Sequence, residues 1–352
     1  MTLLDGGEDA RIRPIVRAEQ CASAHRGRIG VVAVVLLALV SAVAAPARAE
    51  WHGRAIDLMG TRVSVELWHE DEAAGTALVE TVLEEYRRID RAMSTYRDDS
   101  EISALNATAA DAPFAVSTEL FDLIATAIGI SRASDGAFDI SYESVGYLYD
   151  FRTRQRPDAE QIAAALPAVD YRGIVLDAER QTVRFAAPGM RINLGGIAKG
   201  YAVERGAALL SAAGIEHALL SAGGDTRVIG DRRGQPWIVG IRHPRLDDAV
   251  VTRLPIVDEA ISTSGDYERF FEEDGRRYHH ILNPATGEPT DSSISATVIG
   301  PDATLTDALA TTVFVLGAAQ GLALIDAFAG YEAIVVEPTG RLSYSSGLVE
   351  PE

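Results

Sequence analysis

The stretch RINLGGIAKGYAVERGA, Arg191 to Ala207, runs from a short apolar segment through two glycines into a helical pattern. The spacing predicts a strand ending near Leu194, a turn at Gly195-Gly196 and a helix over 197–213. A chain with this unit must place a strand end, a tight turn and a helix N-terminus at one point. Lys199 falls in the first turn of that helix, and it is the one lysine among 32 lysines and arginines. A compact ammonium is a different tool from a planar guanidinium, so the exception marks a position that needs a point charge. Chance use of lysine in an arginine-rich chain is the competing reading. A cation there also opposes the helix dipole, which favours anions at that end.

The first 49 residues read as a lead and a secretory signal, leaving 50–352 as the functional domain. Residues 29–45, IGVVAVVLLALVSAVAA, carry no charge, follow Arg26 and Arg28, and run into a small-x-small site at Ala47 and Ala49. The expectation is export, to the periplasm or to the outer face of the inner membrane if the apolar run stays as an anchor. Cys21, the single cysteine, precedes that run, so a mature chain has no lipid-modifiable cysteine and no disulfide. Removing residues 1–49 leaves 47 acids against 26 bases, a net charge near −21. Such a chain does not seek nucleic acid or anionic lipid.

Elements alternate in kind along the remainder. Residues 62–68 alternate as a strand through Val63, Val65 and Leu67, and 70–93 place Leu78, Val82, Tyr86, Ile89 and Met93 at helical spacing. A polar loop is expected over 94–106, then a helix capped by Ser117 and stopping before Asp135-Gly136. Two or three short strands are expected over 171–194. Further strands are expected over 217–221, 227–229, 237–241, 251–257, 278–282, 295–299, 334–337 and 342–344, with a helix over 304–316. The pattern is that of a single large α+β domain, a mostly antiparallel sheet flanked by helices.

Two polar constellations stand out. Asp307 and Thr311, four apart on the expected helix, offer a carboxylate and a hydroxyl on one face. Oxygen donors of that kind suit Mg²⁺; the alternative is capping by Thr304 or Thr306, with Asp307 merely near the positive end of the dipole. In HHILNPATGEP, His280 sits at an expected strand end, where a histidine is usually a solvated edge residue.

Eight segments in order resemble the ApbE family of FAD:protein FMN transferases, formerly called thiamine-biosynthesis lipoproteins. They are MGT at 59–61, STYRDDSEISALN at 94–106, GAFDIS at 136–141, NLGGIAKGYAVERGA at 193–207, SAGGD at 221–225, ISTSGDYERFF at 261–271, HILNPATGEP at 280–289 and DALATTVFVLG at 307–317. The resemblance implies Mg²⁺ beside the FAD pyrophosphate, held at Gly196, Asp307 and Thr311, with Lys199 against the same phosphates. It implies flavin and adenine contacts at Met59, Tyr96, Ala137, Phe138, Asp139, Asn193, Lys199 and Ile281, and it makes His280 a candidate base, a role an ordinary histidine pKa suits. The implied acceptor is a threonine hydroxyl on a membrane-associated or periplasmic electron-transfer subunit. One position departs from the family: Asn193 stands where most members carry aspartate, so a carbonyl acceptor is kept and a charge lost. The rival readings are a Mg²⁺-dependent FAD pyrophosphatase, with water as acceptor, and a non-catalytic flavin carrier. DSSISAT at 291–297 partly matches the acceptor pattern, but its alternation reads as a strand, so no flavin is expected on Thr297. Read as a helix-end carboxylate, Asp307 is expected to cost only about 0.3–1 kcal/mol on removal, and Lys199→Met to leave the fold as little disturbed.

Overall fold

A tight hairpin opens the described chain. Strands β1 (Glu50–Leu58) and β2 (Thr61–His69) pair in antiparallel register, and Met59 and Gly60 join them with positive φ, 54° and 70°. Both central residues of a two-residue turn adopt that region when its twist must match the strands. Glycine takes it freely; Met59 is held there by the fold. In this computed structural model the described residues are 50–246 and 249–348, and the expected lead and signal over 1–49 lie outside them.

The helices α1 (Glu72–Met93), α2 (Glu101–Thr108), α3 (Thr118–Ala133), α4 (Glu143–Gly146) and α5 (Ala159–Ala165) follow, with the two-residue β3 (Phe114–Ala115) before α3. Strands β4 (Ile174–Asp177) and β5 (Thr182–Phe185) join β3 in a small sheet. Helix α6 (Ala198–Ala212) precedes β6 (Ala218–Ala222), β7 (Asp225–Ile229), β8 (Trp237–Arg242), β9 (Val250–Ile256), β10 (Ala260–Gly265), β11 (Phe270–Glu273), β12 (Arg276–His279) and β13 (Ser295–Gly300). Helix α7 (Ala303–Ile325), β14 (Glu332–Val336) and β15 (Leu342–Tyr344) close the chain.

Eight strands form one antiparallel sheet in the order β1-β2-β6-β7-β10-β13-β14-β15. Its strands alternate between two cores, as a pleat demands. Ala260, Ala296, Val298, Ala333 and Val335 face the core under α1, α6 and α7, whereas Ile261, Ile299 and Ile334 face a second core with Trp237, Ile241 and Ile256 of the β8–β9 hairpin. The expected α+β architecture is thus a sheet with helices on one face and a hairpin on the other.

Several expectations are corrected. The loop expected over 94–106 contains α2, whose Ser100 cap accepts from Ser103 N and whose Ile102 and Leu105 are buried. Two apolar residues among polar neighbours gave too short a period to read. No strand runs into Gly195, since β5 ends at Phe185; the backbone of Ile192 is bonded instead by the Asn106 amide, at 2.8 and 2.9 Å. β12 ends at His279 rather than at 282. Asp302, not Thr304 or Thr306, caps α7, accepting from Leu305 N at 2.9 Å. The helix expected to end at Leu316 breaks there, since Gly317 has φ 74° and ψ 177°, a conformation only glycine tolerates, and it then resumes to Ile325.

Candidate active site

Helices α6 and α7 cross with almost nothing between them. At Gly200 a Cβ would lie 2.1 Å from Ala303 O and 2.7 Å from Asp307 Cβ, so only glycine admits this approach. The crossing sets Lys199 against Asp307. Its Nζ is 3.2 and 3.3 Å from the two Asp307 oxygens and 2.6 Å from Asp225 Oδ2, while Gly200 N donates to Asp307 Oδ2 at 2.9 Å. Asp225 begins β7 directly after the Gly223-Gly224 turn. Both carboxylate side chains are 3% exposed and the Lys199 side chain 24%. The lone lysine is therefore a half-buried counter-ion to two buried acids, which also accounts for a cation at a helix N-terminus.

Charge does not balance there. Burial works to lower the Lys199 pKa, and the two carboxylates outweigh it and hold it above the usual value. Burial first, and the Asp225 charge second, push the Asp307 pKa up, against Lys199 and Gly200 N. Two desolvated carboxylates share one ammonium, so the negative charge left over when both ionise is relieved by a proton on Asp307 or by a bound cation. One turn along α7, the Thr311 hydroxyl is 3.1 Å from Ser264 Oγ, and a Cβ on Gly196 would lie 3.3 Å from Thr311 Oγ1 and 3.2 Å from the Phe138 ring. Gly196 packs against Thr311, one helical turn from Asp307, and the oxygen donors these three residues carry are of the kind that fits Mg²⁺. Among the described residues no group of three or more His, Cys, Asp or Glu side chains could hold a metal.

A polar network centred on Asn193 precedes the Gly195-Gly196 turn. Asn193 Oδ1 accepts from Gly195 N at 2.7 Å, and its Nδ2 donates to Thr95 Oγ1 at 3.2 Å and to Glu143 Oε2 at 3.0 Å. Burial pushes the Glu143 pKa up to about 7, against the Asn193 hydrogen bond and the Arg191 charge. The Tyr96 ring is 73% exposed, with the Arg152 guanidinium 5.7 Å from its centroid. The Arg269 side chain lies against Gly60, next to Met59, and its carbonyl accepts from His280 N at 3.1 Å.

His280 is only half-buried, yet its Nδ1 is sealed without a partner. Burial, then the nearby Arg269, His279 and Lys199, lower its pKa to about 3. The expectation of a base with an ordinary histidine pKa is therefore corrected: the free protein holds His280 neutral. Two other expected contacts have their polar groups engaged inside the protein. Asp139 accepts from Ser141 N and Oγ at 2.8 and 2.6 Å and from Tyr171 N at 2.8 Å, and Ile281 N donates to His279 Nδ1 at 3.3 Å. Phe138 is buried against Gly196, and Ala137 is packed at the core edge.

Sequence reasoning gave no role to Asp225 or Glu143. Asp225 had a visible signal, an acid directly after Gly223-Gly224 at the head of an apolar strand. Glu143, in ISYESVG, had none, because its burial follows from tertiary packing.

The model of the ApbE family matches residues 59–335. An FAD:protein FMN transferase of Treponema pallidum is 34% identical over 342 residues, covering 92% of this chain and 94% of that protein. One from Escherichia coli K12 is 30% identical, covering 77% and 82%. The crystal structure of the ApbE protein of Thermotoga maritima superposes with a TM-score of 0.78 at 32% identity over 85% of this chain and 98% of that one. The apo flavinyl transferase ApbE of Pseudomonas stutzeri gives 0.74 at 30%, over 85% and 95%. With the family model matching 59–335 and three of its motifs meeting at Lys199, Asp225 and Asp307, the chain belongs to the ApbE family.

Proposed function

We propose that this protein is an FAD:protein FMN transferase that moves FMN from FAD to a threonine hydroxyl of a partner protein and releases AMP. The observation that carries the reading is the Lys199–Asp225–Asp307 cluster, with Thr311 and Gly196 beside it, on the positions the family's motifs mark. The acceptor oxygen bonds to the FMN phosphorus, the phosphoanhydride bond breaks, and AMP leaves with the electron pair. Gly196, Asp307 and Thr311 would hold Mg²⁺, which would supply charge compensation for the phosphate oxygens.

The chain's own residues do the rest. Lys199 presents a fixed ammonium to the same phosphates, and its two carboxylate partners keep it from swinging away. His280 enters neutral, so it is able to take the hydroxyl proton once bound phosphate raises its basicity. Tyr96 offers an exposed ring for stacking. The apolar run ahead of residue 50 supports action outside the cytoplasm, on a membrane-associated or periplasmic acceptor.

Measuring AMP released from FAD, with and without a threonine-bearing acceptor polypeptide, tests the proposal. Transfer predicts AMP only with acceptor and Mg²⁺, together with a covalent FMN adduct on the acceptor. AMP and free FMN without acceptor would make the protein a pyrophosphatase, and tight FAD retention with no AMP under any condition would make it a carrier. The metal site is read separately: Mg²⁺ is expected to raise the melting temperature of the wild type and not of Asp307→Ala.

A further inference from the structure

Glu143 is a carboxylate that the proposed reaction does not use. Its Oε2 accepts from Asn193 Nδ2 at 3.0 Å, and among the described residues no arginine, lysine or histidine forms an ion pair with it. Asn193 is pinned on all sides, since Gly195 N donates to its Oδ1 and its second amide hydrogen goes to Thr95 Oγ1. Both amide hydrogens and one lone pair are thereby spent inside the protein, so the amide has one weak acceptor position left. Among the described residues the other oxygen of Glu143, Oε1, has no partner, and it is not sealed: the residue is half-buried beside Thr95, Tyr142 and the Gly195 turn. An anionic acceptor so placed is open to a donor from outside the chain.

We propose that Glu143, oriented by Asn193, receives an N–H of bound FAD through Oε1. The inference rests on the reading that the protein takes FAD. Two groups of FAD offer the required chemistry, the imide N–H of the flavin ring and the 6-amino group of adenine. A carboxylate at 143 also explains why an amide is accommodated at position 193. Aspartate there would set a second carboxylate against Glu143 at 3.0 Å, where both could not ionise, whereas asparagine donates.

Calorimetric titration with FAD, riboflavin and AMP separates the possibilities, using wild type, Glu143→Gln and the double variant Glu143→Gln/Asn193→Asp. Losing one charge-assisted hydrogen bond is expected to weaken FAD binding by roughly 10- to 100-fold in Glu143→Gln. Riboflavin weakens in parallel if the flavin imide is the donor, and AMP if adenine is. The double variant, with the carboxylate returned to position 193 and an amide at 143, is expected to recover to within about threefold of wild type. Weakening confined to riboflavin or to AMP, at an unchanged melting temperature, is a result that a merely structural role for Glu143 does not produce. FAD binding by Glu143→Gln equal to wild type, or a double variant no tighter than Glu143→Gln, overturns the inference while leaving the transferase reading intact. Wild type that fails to bind FAD overturns both.

Discussion

The Lys199 ammonium lies 2.6 Å from the Asp225 carboxylate, deep in the crossing of α6 and α7. Removing it strands two buried acids, so Lys199→Met is expected to destabilise the metal-free protein by about 3–5 kcal/mol. That reverses the expectation, drawn from a helix-end view of the site, that the fold hardly notices. Chemical denaturation in chelator measures it, and a loss under about 1 kcal/mol would show that the pair is solvated. Turnover of the folded variant is expected to fall on the order of 10²–10³-fold.

Gly200→Ala tests the crossing itself. The added methyl meets Ala303 O at 2.1 Å, a backbone atom that cannot step aside without moving α7 and Asp307 with it. Overpacking of this kind costs typically 1–3 kcal/mol. Activity per folded molecule should drop further than stability does, because Asp307 shifts. A thermal melt and an AMP-release assay on one preparation check both; unchanged turnover would mean that the crossing is looser than described.

His280 gives a pH dependence whose sign follows from burial. Its folded pKa, about 3, lies below the usual 6.5, so in acid the unfolded chain takes up a proton that the folded chain refuses. This contribution to stability is complete above 6.5 and is lost as pH falls from 6.5 toward 3. His280→Asn, which cannot titrate, should flatten that limb of a stability profile measured by denaturant titration. An unaltered slope in the variant would remove the burial argument.

Thr297 should carry no flavin. It is 1% exposed in β13, which is paired on both sides, and its hydroxyl is 2.8 Å from Thr263 Oγ1. No phosphorus centre reaches that oxygen without opening the sheet. The intact mass of protein incubated with FAD and Mg²⁺ should match the unmodified chain, and an FMN adduct mapped to Thr297 would refute this.

Local pattern carried much of the fold. The buried stripe of Val82, Tyr86, Ile89 and Met93 identifies α1, the Ser117 cap identifies α3, and the glycine pair before Lys199 locates the start of α6. Elements without a period were hidden: α2 is short and mostly polar, and β10 reads ISTSG because its serines and threonine bond to α7 and β13. The site was legible as residue types at motif positions. Its charge balance was not, because Asp225 meets Lys199 from 26 residues away and Asp307 from 108, and a sequence does not state which distant acids converge.

The break at Gly317 fixes what α7 is for. At 23 residues and a mean hydropathy of 1.9, the helix has the length and composition of a bilayer span. Divided at Gly317, neither piece has the roughly 20 continuous residues that crossing requires. Its apolar surface is instead spent inside the domain, against β10, β13 and β14 and against α6. The result is a rod stiff enough to aim Asp307 and Thr311 at one point, with its bend set beyond both.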